Sequence, residues 1–175
     1  RKINPNRRIP AIIDHDGLAG PGDKPTRVFE TGAILLYLAE KTGRLLGDGP
    51  AVRLDAIQWL MFQMGGVGPM FGQAFHFLHQ TPDNAPPDAV AYGSERYGDE
   101  VRRLCGVLDY RLREFEFLAG PYTIADIANF PWVALHSWLG IDLDDFVGLK
   151  RWYNRLKARP AVRRGMDVPP KAVSD

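Results

Sequence analysis

A chain of 175 residues, 45% hydrophobic and 25% charged, has the composition of a folded globular protein, with length for one large domain or one domain and part of another. Its formal net charge of +1 offers no field for holding nucleic acid or an anionic membrane, and no apolar run nears the ~20 residues of a membrane span. A single cysteine, Cys105, excludes an intramolecular disulfide and fits a reducing compartment; with no signal peptide evident, the cytoplasm is the expected location.

The first 43 residues read as strand, strand, helix. Arg8 to Asp14 is a short β-branched run, His15 to Lys24 is a turn region of Gly, Asp and Pro, and Thr26 to Glu30 reads as a second strand, giving an antiparallel hairpin with a long loop. From Thr31 the period becomes helical. Ile34, Leu35 and Leu38 share a face, and Lys41-Thr42-Gly43 supplies a cation followed by a C′ glycine. Arg44 to Val52 contains Gly47, Gly49 and Pro50 and reads as a linker.

Everything after the linker reads as helix. Leu54, Ile57, Leu60, Met61 and Met64 mark one amphipathic helix that runs into Gly65-Gly66-Val67-Gly68-Pro69. Pro69 opposes the carbonyl of Gly65, so a kink or break is expected there, with room for another backbone to come close. Thr81 to Pro87 is a Pro-rich loop. Tyr97, Val101, Leu104, Cys105, Leu108, Leu112 and Phe115, spaced 4, 3, 1, 3, 4 and 3, form the clearest helical stripe, with Cys105 on its buried side as a structural residue. Thr123 to Asp126 is a capping box, with Tyr122 placed to staple onto Ile127. The apolar helix that follows it should be central, and a last helix carrying Leu149, Trp152, Tyr153 and Leu156 stops before Pro160. Trp59, Trp132, Trp138 and Trp152 read as core, and Arg151, Arg155, Lys157, Arg159, Arg163 and Arg164 as a solvated helix face.

The two helix starts differ in one respect. Thr123 is followed at the third position by Asp126, but Thr31 is followed there by Ile34, so no carboxylate turns back to its free amides. Such an end suits an anion from outside, and Glu30 beside it suits an ammonium. An anion and an ammonium together are the head of an α-amino acid. Two readings stay open on these residues: a bound amino-acid head, or a plain cap beside a solvated glutamate. Ile9-Pro10 favours the first, since a cis bond there would turn Ile9's backbone groups outward to pair with an extended peptide, and the two features together suit a small γ-glutamyl peptide.

Asn4-Pro5-Asn6-Arg7-Arg8-Ile9-Pro10-Ala11-Ile12 and Phe29-Glu30-Thr31-Gly32-Ala33-Ile34 resemble the glutathione-binding half of the cytosolic glutathione transferases. Downstream, Gln58-Trp59-Leu60, Met64 to Met70, Glu95-Arg96-Tyr97, Thr123-Ile124-Ala125-Asp126 and Arg159-Pro160-Ala161-Val162 follow in the family's order, and the set resembles its bacterial nu class, relatives of the yeast nitrogen-regulator prion protein. The resemblance covers nearly the whole chain. It implies that Ile9, before a cis Pro10, holds the cysteinyl backbone of glutathione, that Glu30 and Thr31 hold the γ-glutamyl amine and carboxylate, and that Arg96 lies at the glutathione site. It also implies that Gly65 to Pro69, with Met70 and Gln73, lie near the cleft and the dimer contact. Thr31 stands where the family usually has serine, which keeps the hydroxyl. Members of this class are thiol–disulfide oxidoreductases that bind two glutathiones or one glutathione disulfide, with weak conjugating activity, and the reacting thiol is that of glutathione.

The sequence begins at the Asn-Pro-Asn segment, whereas the family has a strand, a helix and a second strand before it. The missing piece carries the donor that stabilises the glutathione thiolate, so the catalytic donor is unassigned; the expectation is either a fragment of a longer protein or a site that has lost a part. The edge of the Ile9 to Asp14 strand should then be exposed.

His76 and His79 lie three apart without further ligands spaced nearby, so no metal is expected; His76 is kept as a cleft candidate and His15 as a solvated loop residue. Asp142, Asp144 and Asp145 lack the glycine and closing glutamate of a calcium loop. No phosphate loop, nucleophile elbow or dinucleotide fingerprint is present. The expected architecture is α+β: the C-terminal part of a thioredoxin-like α/β domain (residues 1–43), a linker (44–52) and an all-α helical bundle (53–175). The expected protein is a homodimeric glutathione-dependent disulfide oxidoreductase acting on small-molecule or disulfide substrates. Its rivals are a transferase-fold regulatory module and an enzyme conjugating glutathione to electrophiles.

Overall fold

The computed structural model describes residues 2–168, so the last seven residues of the expected helical region lie outside the described residues. Strands β1 (Ala11–Asp14) and β2 (Thr26–Phe29) pair antiparallel, Ala11 opposite Phe29 and Asp14 opposite Thr26, and among the described residues they are the whole sheet. Helix α1 (Thr31–Thr42) follows, and Gly43 ends it at φ 63°, its N–H returning to the last turn. The Asp14 carboxylate, on β1, accepts hydrogen bonds from the Tyr37 hydroxyl at 2.5 Å and from the Lys41 ammonium, fastening the strand to the helix.

The segment read as a linker is shorter than expected. Helix α2 (Gly49–Phe62) starts inside it, because Pro50 occupies the first turn, where no amide is needed. The rest is docked: the Leu45 carbonyl accepts the Ile124 amide at 2.8 Å. The buried face of α2 also differs from the expected stripe. Ala56 and Leu60 are buried, whereas Leu54 and Met61 are 58% and 50% exposed, and Leu38 of α1 is also exposed.

At the glycine-rich stretch the helical run does not break. Gln63–Val67 form a π-helical turn in which the Gly68 amide reaches the Gln63 carbonyl, and α3 (Gly68–His79) continues from it with Pro69 in its first turn. Widening the helix by one residue absorbs a proline that has no amide to give. Here the buried stripe passes from the Leu60 cluster at the α1 seam to Val67, Phe71 and Ala74 of the main core.

Helix α4 (Pro87–Glu114) carries the expected stripe, with Val101, Leu104, Cys105, Leu108 and Leu112 buried. Its Asp109, also buried, accepts the Gly148 and Leu149 amides at 2.7 and 3.1 Å and so caps α6 (Val147–Ala158) from a neighbouring helix. Helix α5 (Ile124–Val133) opens with the expected capping box: the Thr123 hydroxyl accepts from Ala125, and Asp126 accepts the Thr123 amide at 3.0 Å. Tyr122 packs its ring on Phe117 and beneath Arg159. Helix α6 stops at Ala158, before Pro160 as expected, but it is not the last: that proline opens a further helix, α7 (Pro160–Met166). Trp152 is core, Trp59 and Trp132 are half-buried, but Trp138, in the 3-10 turn His136–Leu139, is 59% exposed beside His79 and Phe75. Among the described residues no helix is long and apolar enough to cross a membrane.

Candidate functional site

Helix α1 presents a bare N-terminus. The boundary residue is Glu30, whose carbonyl accepts the Ile34 amide at 2.9 Å; Thr31 is the first residue inside the helix rather than its cap. No side chain caps this end, so the amides of Thr31, Gly32 and Ala33 point out of the helix without an intrahelical partner. Glu30 has φ 71° and ψ 127°, a backbone state that a residue with a side chain rarely adopts. That turn leaves both Glu30 and Thr31 exposed at the helix mouth. A carboxylate beside three outward amides and a hydroxyl can receive an ammonium and an anion side by side.

Ile9 stands across the hairpin, 95% exposed, and its bond to Pro10 is cis. A groove of about 490 Å³ runs past it, lined by Lys2, Asn4, Arg7 and Arg8 among others. Asn4 shapes this loop: its side chain donates to the Arg8 carbonyl at 2.6 Å and accepts the Asn6 amide at 2.8 Å. The three cations were not singled out from sequence. The available signal was their crowding around the Asn-Pro-Asn segment, ahead of an exposed Ile-Pro.

Arg96 belongs to a different place. It lines a cleft of about 700 Å³ along α4 with Tyr92, Glu95, Asp99 and Arg103, and Met70 of α3 closes one side. Arg103 is engaged by Glu100 through two 2.7 Å bonds, whereas Arg96 has no carboxylate within ion-pair distance among the described residues. Within this subunit the residues therefore fall into two groups: Ile9 to Thr31 on the strand and α1, and Arg96 with Met70 on α3 and α4. Gln73 and His76 are exposed on α3 and do not line the Arg96 cleft.

The remaining polar candidates have structural partners. His79 Nε2 meets the Trp138 carbonyl at 2.6 Å, Asp142 caps the Asp144 amide, Asp144 pairs with Lys150, and Asp145 with Arg102. Among the described residues no group of three or more His, Cys, Asp or Glu stands ready for a metal ion. Cys105 lies in the core, and burial pushes its thiol up to about 12. A thiol so placed is neither reachable nor ionised near neutral pH.

Comparison with known proteins gives three kinds of match. Residues 70–160 match the glutathione S-transferase C-terminal domain. The chain is 45% identical over 166 residues to the disulfide-bond oxidoreductase YfcG of Escherichia coli K12, covering 94% of this chain and 74% of that protein. Among solved structures, a glutathione transferase from Burkholderia graminis with two glutathione molecules bound per subunit superposes with a TM-score of 0.85 at 45% identity, over 97% of this chain and 70% of that one. A glutathione transferase from Pseudomonas putida with one glutathione disulfide per subunit gives 0.82 at 44% identity, over 94% and 71%.

Proposed function

The chain belongs to the glutathione transferase family, and from that premise we propose that it binds glutathione along Ile9 and the mouth of α1 and uses the bound thiol in thiol–disulfide exchange. The observation that carries this reading is the Glu30–Thr31 turn, a glutamate held at positive φ at the mouth of a helix whose first amides no side chain caps. Glu30 takes the γ-glutamyl ammonium, and Thr31 with the α1 amides takes the neighbouring carboxylate. Ile9 pairs its backbone with the cysteinyl residue, next to Pro10. The groove of Lys2, Arg7 and Arg8 supplies positive charge for the glycyl carboxylate at the other end of the peptide. Arg96, with Met70 beside it, serves a second glutathione or the glutathione half of a mixed disulfide; Gln73 and His76 stand on the approach along α3.

The chemistry needs no protein cysteine. A bound glutathione thiolate attacks one sulfur of a disulfide, forming a glutathionyl mixed disulfide and releasing the other sulfur as a thiolate. A second glutathione thiolate then displaces the remaining thiol, and glutathione disulfide leaves. Two glutathiones per subunit in one relative and glutathione disulfide in another are the reactants and the product of that sequence. The same reading divides the chain into a glutathione-binding part to Gly43 and a helical part from Arg53, and assigns the protein to the cytoplasm, where glutathione is kept reduced. It also makes the protein a homodimer, since α2 leaves Leu54 and Met61, one heptad apart, open to a second copy.

The test is a comparison of turnovers with glutathione as the thiol. Reduction of 2-hydroxyethyl disulfide well above conjugation to 1-chloro-2,4-dinitrobenzene supports the proposal. The reverse order makes the protein a conjugating transferase, and no turnover of either makes it a binding module.

A further inference from the structure

Helix α1 has no side-chain cap, so something else must fix where its outward amides stand. Gly32, the second residue of the helix, is buried, and a Cβ built on it would lie 3.0 Å from Met64 Cγ and 3.1 Å from its Sδ. The helix mouth and the thioether thus pack closely, and a methyl group on Gly32 would force the thioether to give by a few tenths of an ångström.

Met64 lies in the π-helical turn, on the other side of the seam between α1 and the helical part. It packs with Leu35, Leu36 and Leu46 around Leu60, Ile124 and Ala128, a cluster shared by α1, α2 and α5. A flexible thioether fills the irregular gap beside a glycine, and a leucine of similar volume can fill it too, while π-helical turns recur where a helix must re-aim one residue for function. We propose that Met64 is a positioning residue for the glutathione half-site. By seating on Gly32 it sets the amides of Thr31, Gly32 and Ala33, and it makes the affinity of that site depend on how α1 docks on the helical part. The inference rests on the glutathione reading above, but its packing half can be tested without ligand.

The experiment uses the full chain as wild type, Gly32→Ala, Met64→Ala, the double variant and Met64→Leu, each first shown to unfold cooperatively. Reduced glutathione is titrated into all five, and the amide shifts of Thr31, Gly32 and Ala33 are recorded by NMR without ligand. The expected result is about tenfold weaker binding in each single alanine variant. The double variant should bind more tightly than either, since the new methyl fills the space the thioether left, and Met64→Leu should restore wild-type binding. The three amide shifts should move in Met64→Ala and return in Met64→Leu. Wild-type affinity and unmoved shifts in Met64→Ala would overturn the proposal while leaving the glutathione reading intact. So would losses that simply multiply in the double variant. A wild type that fails to bind glutathione while the shifts still respond would overturn the glutathione reading and support the packing role.

Discussion

Glu30 sits at φ 71°, and holding a residue with a side chain in such a state costs about 1–3 kcal/mol. A glycine there would relieve that cost, less the extra freedom it gains when unfolded. Glu30→Gly should therefore be neutral to about 2 kcal/mol more stable in denaturant unfolding, yet bind glutathione more weakly than wild type. A variant both less stable and fully able to bind would show that the turn serves folding alone. Asp14 makes a second residue-scale case. Its carboxyl is held at about 2, below the ordinary 3.8, by the Lys41 ammonium and then the Tyr37 hydroxyl. A depressed folded value means the stabilisation is complete above the unfolded pKa and is lost as pH falls from about 3.8 to about 2. Asp14→Asn should be less stable than wild type at pH 7, and the difference between the two unfolding curves should shrink as pH falls through about 3.8 and vanish only below about 2. The missing partner for Thr31 at Ile34 was legible in sequence, because capping boxes have fixed spacing. The positive φ at Glu30 and the Asp14 contact were not, since both are set by how the hairpin closes against α1.

Two buried aspartates organise the helices. Asp126 completes the Thr123 box and also accepts the Leu118 amide at 3.0 Å and the Trp152 indole N–H at 2.8 Å, tying α5 to α6. Burial pushes its carboxyl above the usual range, against the pull of these donors. Asp126→Ala leaves several buried donors without a partner and should cost at least about 3 kcal/mol in equilibrium unfolding. Asp109 works across the α4–α6 contact, where a Cβ on Gly148 would come within 2.8 Å of the α4 backbone at Leu112 and Arg113. Gly148→Ala should thus push the two helices apart and cost about 1–3 kcal/mol, read as a lower thermal midpoint. Cys105, from the same stripe, should resist iodoacetamide at pH 8 in the native protein and react fully in denaturant; native labelling would contradict its place in the core. Helix existence was readable for most elements, above all from the stripe of α4 and the capping box of α5, but α7 was missed because Pro160 read as a stop rather than as a first-turn residue. Faces and joins were less so. On α2 the apolar residues go around much of the helix, so composition alone could not say that Leu54 and Met61 face outward. The π turn depends on a backbone register that no residue type announces.

At the scale of the whole molecule, the strands and α1 are a small unit whose broad apolar support, among the described residues, is the seam with α2 and α5. The main core lies beyond that seam, around α3, α4 and α6. The helical part is thus the base on which the proposed glutathione half-site rests, and the two groups of candidate residues, Ile9 to Thr31 and Arg96 with Met70, stand on different parts of the structure. The resemblance named both groups from short ordered motifs. It did not show that they stand apart within one subunit, with only Arg96 and Met70 sharing a cleft, because that depends on helix packing rather than on any motif. The most direct test of the account is a calorimetric titration of the chain with reduced glutathione and with glutathione disulfide, repeated for Thr31→Ala and Glu30→Gln. The account predicts saturable binding of both ligands by the wild type, weakened about tenfold or more in each variant, as loss of a charge-assisted hydrogen bond implies. Binding that is unchanged in both variants, or absent from a well-folded wild type, would contradict it.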